Sequence, residues 1–260
     1  MRFGICASVD ALTLAADAAC DYIEPPVAIL VPDQGDSAFA PARERFGNSA
    51  LKAETFNAFL PPSLKITGPA ADFHALSAYV KVAAHRAAQI GGRVIVFGSG
   101  GARAVPQGFP RPQAETQIID FLKMAGDYAA ENDLVIAVEP LRPAECNIIN
   151  FVSEACDFAR RANHPAVKVL ADLYHVFQGN DPLANIAAAG RLLAHTHIAE
   201  AVNRDAPRSG DGTDYTGFFA ALKRAGFDGR CSIECRWTDQ ASQAPIAIRY
   251  LRELWQRTDS

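Results

Sequence analysis

Residues 134–172 read LVIAVEPLRPAECNIINFVSEACDFARRANHPAVKVLAD, and how this stretch divides decides the fold. An apolar run is closed by Glu139 and Pro140. A proline-containing turn follows, then a helix-spaced stretch over 151–162, then Asn163-His164-Pro165, and a second apolar run that ends at Asp172. Short apolar runs bounded by turn residues read as buried strands, and 3.6-residue spacing reads as helix. The stretch is therefore strand, helix, strand, the repeating unit of a parallel sheet.

The same alternation continues in both directions. Strands are expected over 2–6, 21–24, 54–59, 93–97, 134–139, 167–172, 193–198 and 230–235. Helices are expected over 11–19, 41–50, 73–90, 113–131, 151–162, 182–189, 216–225 and 240–256. Phe121, Met124, Ala125 and Tyr128, for example, share one helical face. Eight βα units in 260 residues, with no linker or shift of composition between them, is the arithmetic of an α/β fold of one domain, residues 1–260: a single (β/α)8 TIM barrel. A doubly wound open sheet is the other arrangement of such units, but no G-x-G-x-x-G follows the first strand.

Loop length picks out one end of that barrel. Helix-to-strand connections are short, as at 91–92, 132–133, 190–191 and 226–229. Strand-to-helix connections are long, as at 25–40, 61–72, 98–112, 140–150 and 199–215. The long insertions gather where the strands end, and in such barrels that face carries the site.

Composition narrows the function classes. Hydrophobic residues make up 49% and charged residues 21%, the balance of a globular chain with a sizeable core. The net charge is −4, which argues against a nucleic-acid partner and gives no attraction to an anionic membrane surface. No apolar run approaches the ~20 residues of a membrane span or forms a signal peptide. The six cysteines, at 6, 20, 146, 156, 231 and 235, form no CxxC pair, and free thiols in a cytoplasmic protein are expected.

Four consecutive strands end in groups that can bind a cation. Strand 5 ends at Glu139, strand 6 at Asp172, strand 7 carries His195 and His197, and strand 8 ends at Glu234. A charged side chain at the end of an apolar strand is costly unless it is paired or bound to metal. For any one of these residues a rim salt bridge is an equal explanation; four at equivalent places point to a metal site of Glu139, Asp172, His197 and Glu234. Three carboxylates and one imidazole make a mostly oxygen set, suited to one divalent ion: Mn²⁺ first, with Mg²⁺ and Co²⁺ as alternatives. His195 has the same facing as His197 but lies deeper, and reads as a hydrogen-bonded core histidine. The segment Gly98-Ser99-Gly100-Gly101-Ala102-Arg103 could cradle an anion with backbone N–H groups and a guanidinium; the plainer reading is a turn-shaped loop.

These residues resemble a known family, the sugar epimerase and isomerase branch of the xylose isomerase-like barrels, typified by ketose 3-epimerases of the D-tagatose/D-psicose type. Phe3-Gly4-Ile5-Cys6-Ala7 is similar to its first strand. Glu139-Pro140-Leu141 followed by Glu145 and Asn150 is similar to its strand-5 motif, and Asp172-Leu173-Tyr174-His175 to its strand-6 motif. His197-Ile198-Ala199-Glu200 leading to Asn203-Arg204, the turn Gly210-Asp211-Gly212, and Glu234-Cys235 complete the resemblance. It implies that Glu139, Asp172, His197 and Glu234 hold metal, and that Glu145, His175, Arg204 and Cys6 contact a sugar or sugar-like substrate.

Chemistry consistent with this set is proton transfer. An ion that chelates a carbonyl and its neighbouring hydroxyl acidifies the intervening C–H and stabilises an enediolate. Glu139 and Glu234, from strands 5 and 8, can then act as the two catalytic bases of an epimerase or isomerase. A polyol or inosose-type dehydratase would use the same groups to expel water and stays open as the alternative. Apurinic-endonuclease chemistry would need further histidines on strands 2 to 4, which end in Glu24, Asn57 and Phe97. Nothing in the sequence fixes the substrate's identity or phosphorylation, and a homo-oligomer is left open.

Overall fold

The computed structural model describes residues 1–259. Eight parallel strands form one sheet: β1 (Arg2–Cys6), β2 (Tyr22–Glu24), β3 (Thr55–Phe56), β4 (Val94–Phe97), β5 (Val135–Val138), β6 (Val167–Asp172), β7 (Leu193–Ile198) and β8 (Arg230–Ile233). Their order is β2-β1-β8-β7-β6-β5-β4-β3. Parallel bridges Ile23 to Ala53 and Pro26 to Asn57 bring β2 against the β3 segment and nearly close the sheet into a barrel. Helices cover its outside: α1 (Leu12–Asp17), α2 (Asp36–Gly47), α3 (Phe73–Gln89), α4 (Gly100–Arg103), α5 (Arg111–Ala130), α6 (Val152–Ala162), α7 (Leu173–Gln178), α8 (Leu183–Ala189), α9 (Tyr215–Arg224) and α10 (Gln240–Arg257). Among the described residues, no helix is long and apolar enough to cross a membrane.

Side chains alternate between the two faces of each strand, and the alternation sorts the core. Outward positions such as Phe3, Ile5, Ile23, Ile95, Phe97, Ile136, Val138, Val169 and Ile233 join the helices in one large apolar cluster. The inward face divides in two. Val94, Val96, Ala137 and Leu170 form a small separate apolar cluster. Opposite them lie Tyr22, Glu24, Thr55, His195, His197 and Ser232, buried polar residues that must satisfy one another. Gly4 makes this packing feasible, because a Cβ there would stand 2.6 Å from the Tyr22 ring.

Strands β1, β6 and β7 run as expected, whereas β5 and β8 stop one or two residues early. Glu139 and Glu234 are thus the first residues past their strands. They keep a ladder bond each, Glu139 N–H donating to Phe97 O at 3.1 Å and Glu234 N–H to Ile198 O at 3.1 Å. The expected strand 54–59 shrinks to two residues. The expected helix 41–50 is corrected to Asp36–Gly47, with Pro41 inside it on an exposed face. Only one N–H is missing there, so the helix tolerates it. Two stretches expected as loops contain helices, α4 and α7. Asp172 starts α7, its Oδ1 accepting from Tyr174 N–H at 2.7 Å.

Candidate active site

The inward layer of strands β5 to β8 continues one step past the apolar and polar interior. Ala137 is followed by Glu139, Leu170 by Asp172, His195 by His197 and Ser232 by Glu234, each two residues on and facing the same way. One ligand atom from each of Glu139, Asp172, His197 and Glu234 lies within 4.8 Å of the others. The sequence therefore brings together the four residues expected to hold a cation.

His197 is fully buried and its two nitrogens face different ways. Nδ1 lies 3.3 Å from Glu139 Oε1 and 3.0 Å from Glu234 Oε2. Nε2 lies 2.8 Å from Glu24 Oε1. Burial disfavours the imidazolium, yet the Glu24 and Glu234 carboxylates outweigh it and hold its pKa well above the usual histidine range. The two carboxyls beside it diverge. Burial raises Glu139. Burial acts on Glu234 too, but His197 and Arg204 overcome it and draw it down to about 2. Such divergence of two neighbouring carboxyls is what an acid–base pair needs.

The donor set fits a divalent ion on an observation independent of any likeness. Asp172 Oδ1 is spent on capping α7, while Asp172 Oδ2 is buried without a hydrogen-bond partner. Near it lie Arg204 Nη2 at 3.6 Å and His175 Nε2 at 3.8 Å. A buried carboxylate oxygen without a partner is costly, and a cation held among three carboxylates and an imidazole removes that cost.

Above this cluster opens a cleft of about 330 Å³. Its polar wall is Glu139, Glu145, His175, Arg204 and Glu234, and its other wall includes Ala58, Leu60, Pro62, Gly98 and Gly101. Gly98 allows Glu139 its place, since a Cβ there would lie 2.3 Å from Glu139 Oε2. Arg204 has a left-handed backbone (φ 61°) and its N–H donates to Glu200 O at 3.1 Å. Its Nη2 donates to Glu234 Oε2 at 2.7 Å, and the guanidinium lies 4.9 Å from the centre of the Tyr174 ring. His175 Nδ1 accepts from Arg142 N–H at 3.3 Å, which leaves the proton on Nε2, the nitrogen turned toward Asp172. Glu145 sits at the rim, where Arg142 Nε donates to its Oε1 at 2.8 Å.

Cys6 is half-buried and is not among the residues that line the cleft; its sulfur lies within 4.8 Å of ligand atoms of Glu24 and His197. Burial and Glu24 push its thiol pKa well up, so the thiol stays protonated. It ends β1 pointing inward, opposite Glu24 of β2 and one step past the pair of Ile5 with Ile233. Arg103 is not free to bind an anion. It is fully buried, with Nη1 donating to Phe97 O at 2.9 Å and Nη2 to Glu139 O at 2.7 Å and Ile149 O at 3.3 Å. The glycine-rich segment turns into α4 and folds this guanidinium beneath Glu139, where three carbonyls accept from Nη1 and Nη2.

In the sequence Glu24 stands out only as a strand end; in the structure it is the hub of a buried polar cluster. It is fully buried and accepts from His195, His197, Thr55 and Ser232. Burial favours its neutral form, but the two histidines hold the carboxyl well below the usual range. His195 is the buried core histidine that the sequence suggests, and burial lowers its pKa.

A family model described as xylose isomerase-like TIM barrel matches residues 12–254. Among curated proteins, the L-ribulose 3-epimerase of Methylomonas sp. (strain DH-1) is 32% identical over 114 residues, 44% of this chain and 39% of that protein. The 3-dehydro-D-guloside 4-epimerase of Escherichia coli (strain K12) is 29% identical over 174 residues, 64% of this chain and 66% of that protein. Across the curated relatives the matched regions span 39% to 66% of their own lengths. Among solved structures, a D-psicose 3-epimerase crystallised in the presence of D-fructose superposes with a TM-score of 0.86, covering 98% of this chain and 99% of that one at 18% identity.

Proposed function

The chain belongs to the xylose isomerase-like TIM barrel family, and from that premise we propose that it is a divalent-metal-dependent sugar epimerase, an isomerase of carbohydrate metabolism in the cytoplasm. The observation that carries the proposal is the cluster of Glu139, Asp172, His197 and Glu234 beneath a sugar-sized cleft. Three of the partially matched relatives are named as epimerases and one as a putative isomerase, which supports the reaction class.

Glu139, Asp172, His197 and Glu234 would hold the ion, with Mn²⁺ as the expected occupant. When bound, such an ion draws electron density from a carbonyl and its neighbouring hydroxyl and so acidifies the C–H between them. The chain's own residues do the rest. Glu139 and Glu234 arrive from β5 and β8 on either side of His197 Nδ1. One takes the proton from carbon on one face of the substrate, leaving the planar enediolate, and the other returns a proton to the opposite face. His175 presents Nε2–H to a sugar oxygen, its other nitrogen held by the Arg142 amide. Arg204, steadied by Glu234 and Tyr174, donates to a second oxygen, and Glu145 at the rim accepts from a hydroxyl.

Arg204 touches the ligand set but is not part of it. Arg204→Ala is therefore expected to leave bound Mn²⁺ near stoichiometric while kcat/KM falls roughly tenfold or more, the scale of a lost charged contact. Metal analysis beside steady-state kinetics checks this, and an emptied site in the variant would overturn the assignment. The function itself is tested by stripping the protein with chelator, restoring Mn²⁺ or Co²⁺, and following free and phosphorylated ketoses by NMR. Inversion at one carbinol carbon, dependent on the ion, is expected. Full activity after exhaustive chelation would refute the metal requirement, and a product lacking one water would refute epimerisation.

A further inference from the structure

Glu24 takes no part in the proposed proton transfer, yet it lies at the centre of the polar half of the barrel. Its two oxygens are unequally loaded. Oε2 accepts from Thr55 Oγ1 at 2.7 Å, from His195 Nε2 at 2.7 Å and from the Ser232 hydroxyl, which in turn accepts from Tyr22 OH at 2.8 Å. Oε1 accepts from His197 Nε2 alone, at 2.8 Å. All these groups are fully buried, so each proton has to be accounted for within the cluster.

The accounting fixes the rings. An ionised carboxylate can only accept, so both imidazoles must place a proton on Nε2. His195 Nδ1 is buried without a partner, as expected of a ring whose proton is on the other nitrogen. His197 Nε2 is committed in the same way, so Nδ1, which faces the Glu139 and Glu234 carboxylates, is the nitrogen that gives up its proton when the ring binds an ion. We propose that Glu24 is the positioning residue of the metal centre, holding His197 in the one tautomer and orientation in which Nδ1 can bind the ion. The inference rests on the metal-centre reading of His197. A carboxylate behind a ligating imidazole fixes the ring and raises its basicity, and loss of such a partner costs about 10–100-fold in metal affinity.

The unequal loading makes Glu24→Gln a sharp test. The amide is isosteric but carries one acceptor and one donor end. Its oxygen belongs where three donors converge, at the present Oε2, which sets the NH₂ against His197 Nε2. That ring must then accept at Nε2 and carry its proton on Nδ1, the atom the ion requires. We expect Glu24→Gln to bind Mn²⁺ about 10–100-fold more weakly than wild type, with circular dichroism unchanged. Free Mn²⁺ counted by electron paramagnetic resonance reads this without any substrate. Thr55→Val removes a donor from Oε2 and leaves the Oε1 contact, so it should lower the melting temperature and leave Mn²⁺ affinity unchanged.

Ring-nitrogen NMR of the metal-free proteins, under alkaline conditions where His197 carries a single proton, gives a second reading that does not depend on the variant folding. The proton should be on Nε2 in wild type and on Nδ1 in Glu24→Gln. Equal Mn²⁺ affinity in wild type and Glu24→Gln, or a wild-type proton on Nδ1, would overturn the inference. A wild-type protein that takes up no Mn²⁺ would instead sink the metal-centre reading, and the ring spectra would still judge the tautomer.

Discussion

Replacing Glu139 by Gln is expected to stop turnover, with kcat lower by roughly 10²–10⁴-fold, the range lost with a positioned acid–base group. Glutamine has the same shape, and Glu139 sits just past β5 with its backbone held by Phe97 O and Arg103, so the barrel should keep its melting temperature. Glu139 is also one of the four groups in the cation cluster. Bound Mn²⁺ must therefore be measured first, and the kinetic loss compared at saturating ion. The diagnostic result is half of the reaction: Glu234 remains, so one substrate epimer should still exchange its carbon-bound hydrogen with solvent although no product forms. Retention of more than a tenth of wild-type kcat at full Mn²⁺ occupancy would remove Glu139 from the proton route.

Asp172→Asn has the second large effect, and it acts on the ion. Asp172 Oδ1 is held by the Tyr174 amide at 2.7 Å, so an asparagine oxygen belongs there. Its NH₂ then takes the position of the buried, partnerless Oδ2, placing a donor where a ligand lone pair is required. Bound Mn²⁺ should fall to a small fraction per chain and activity with it. The metal-free variant should melt no lower than metal-free wild type, because the change removes a buried charge that lacks a full partner. Elemental analysis and a melting curve decide it. Stoichiometric Mn²⁺ in Asp172→Asn would show that the ion sits elsewhere.

Much of this site was legible in the sequence because charge is conspicuous in an apolar strand. Glu139, Asp172, His197 and Glu234 each follow an apolar or buried run by the same parity, and the barrel's closure does no more than bring those ends together. Loop asymmetry located the open face for the same reason: insertions are tolerated where strands end, and the short helix-to-strand turns leave no room on the other side. Glu24 was not legible. Tyr22-Ile23-Glu24 before Pro25-Pro26 reads as a strand running into a turn, and its partners His195 and His197 lie 171 and 173 residues away. A signal was present, however. Two inward histidines on β7 need a buried acceptor, and Glu24 is the strand-end carboxylate with inward parity on the polar side.

Arg103 shows why the plainer reading of its glycine-rich segment is the better one. Glycines around an arginine suggest an open anion cradle, but whether a guanidinium faces solvent or backbone depends on tertiary closure. Here Phe97, Glu139 and Ile149 offer three carbonyls at one point, and burying the side chain satisfies them. The helix α7 escaped notice because Leu173-Tyr174-His175-Val176 carries no apolar period of its own; Asp172 nucleates it as a cap.

A proton is expected to leave carbon for one glutamate and to return from the other. The direct measurement is to run the Mn²⁺-loaded enzyme on its ketose in deuterium oxide and read the product by NMR. The two-carboxylate route predicts deuterium at the inverted carbon and loss of the original hydrogen from it. Product that keeps the substrate's own hydrogen, carried to the neighbouring carbon with no deuterium from solvent, would contradict it.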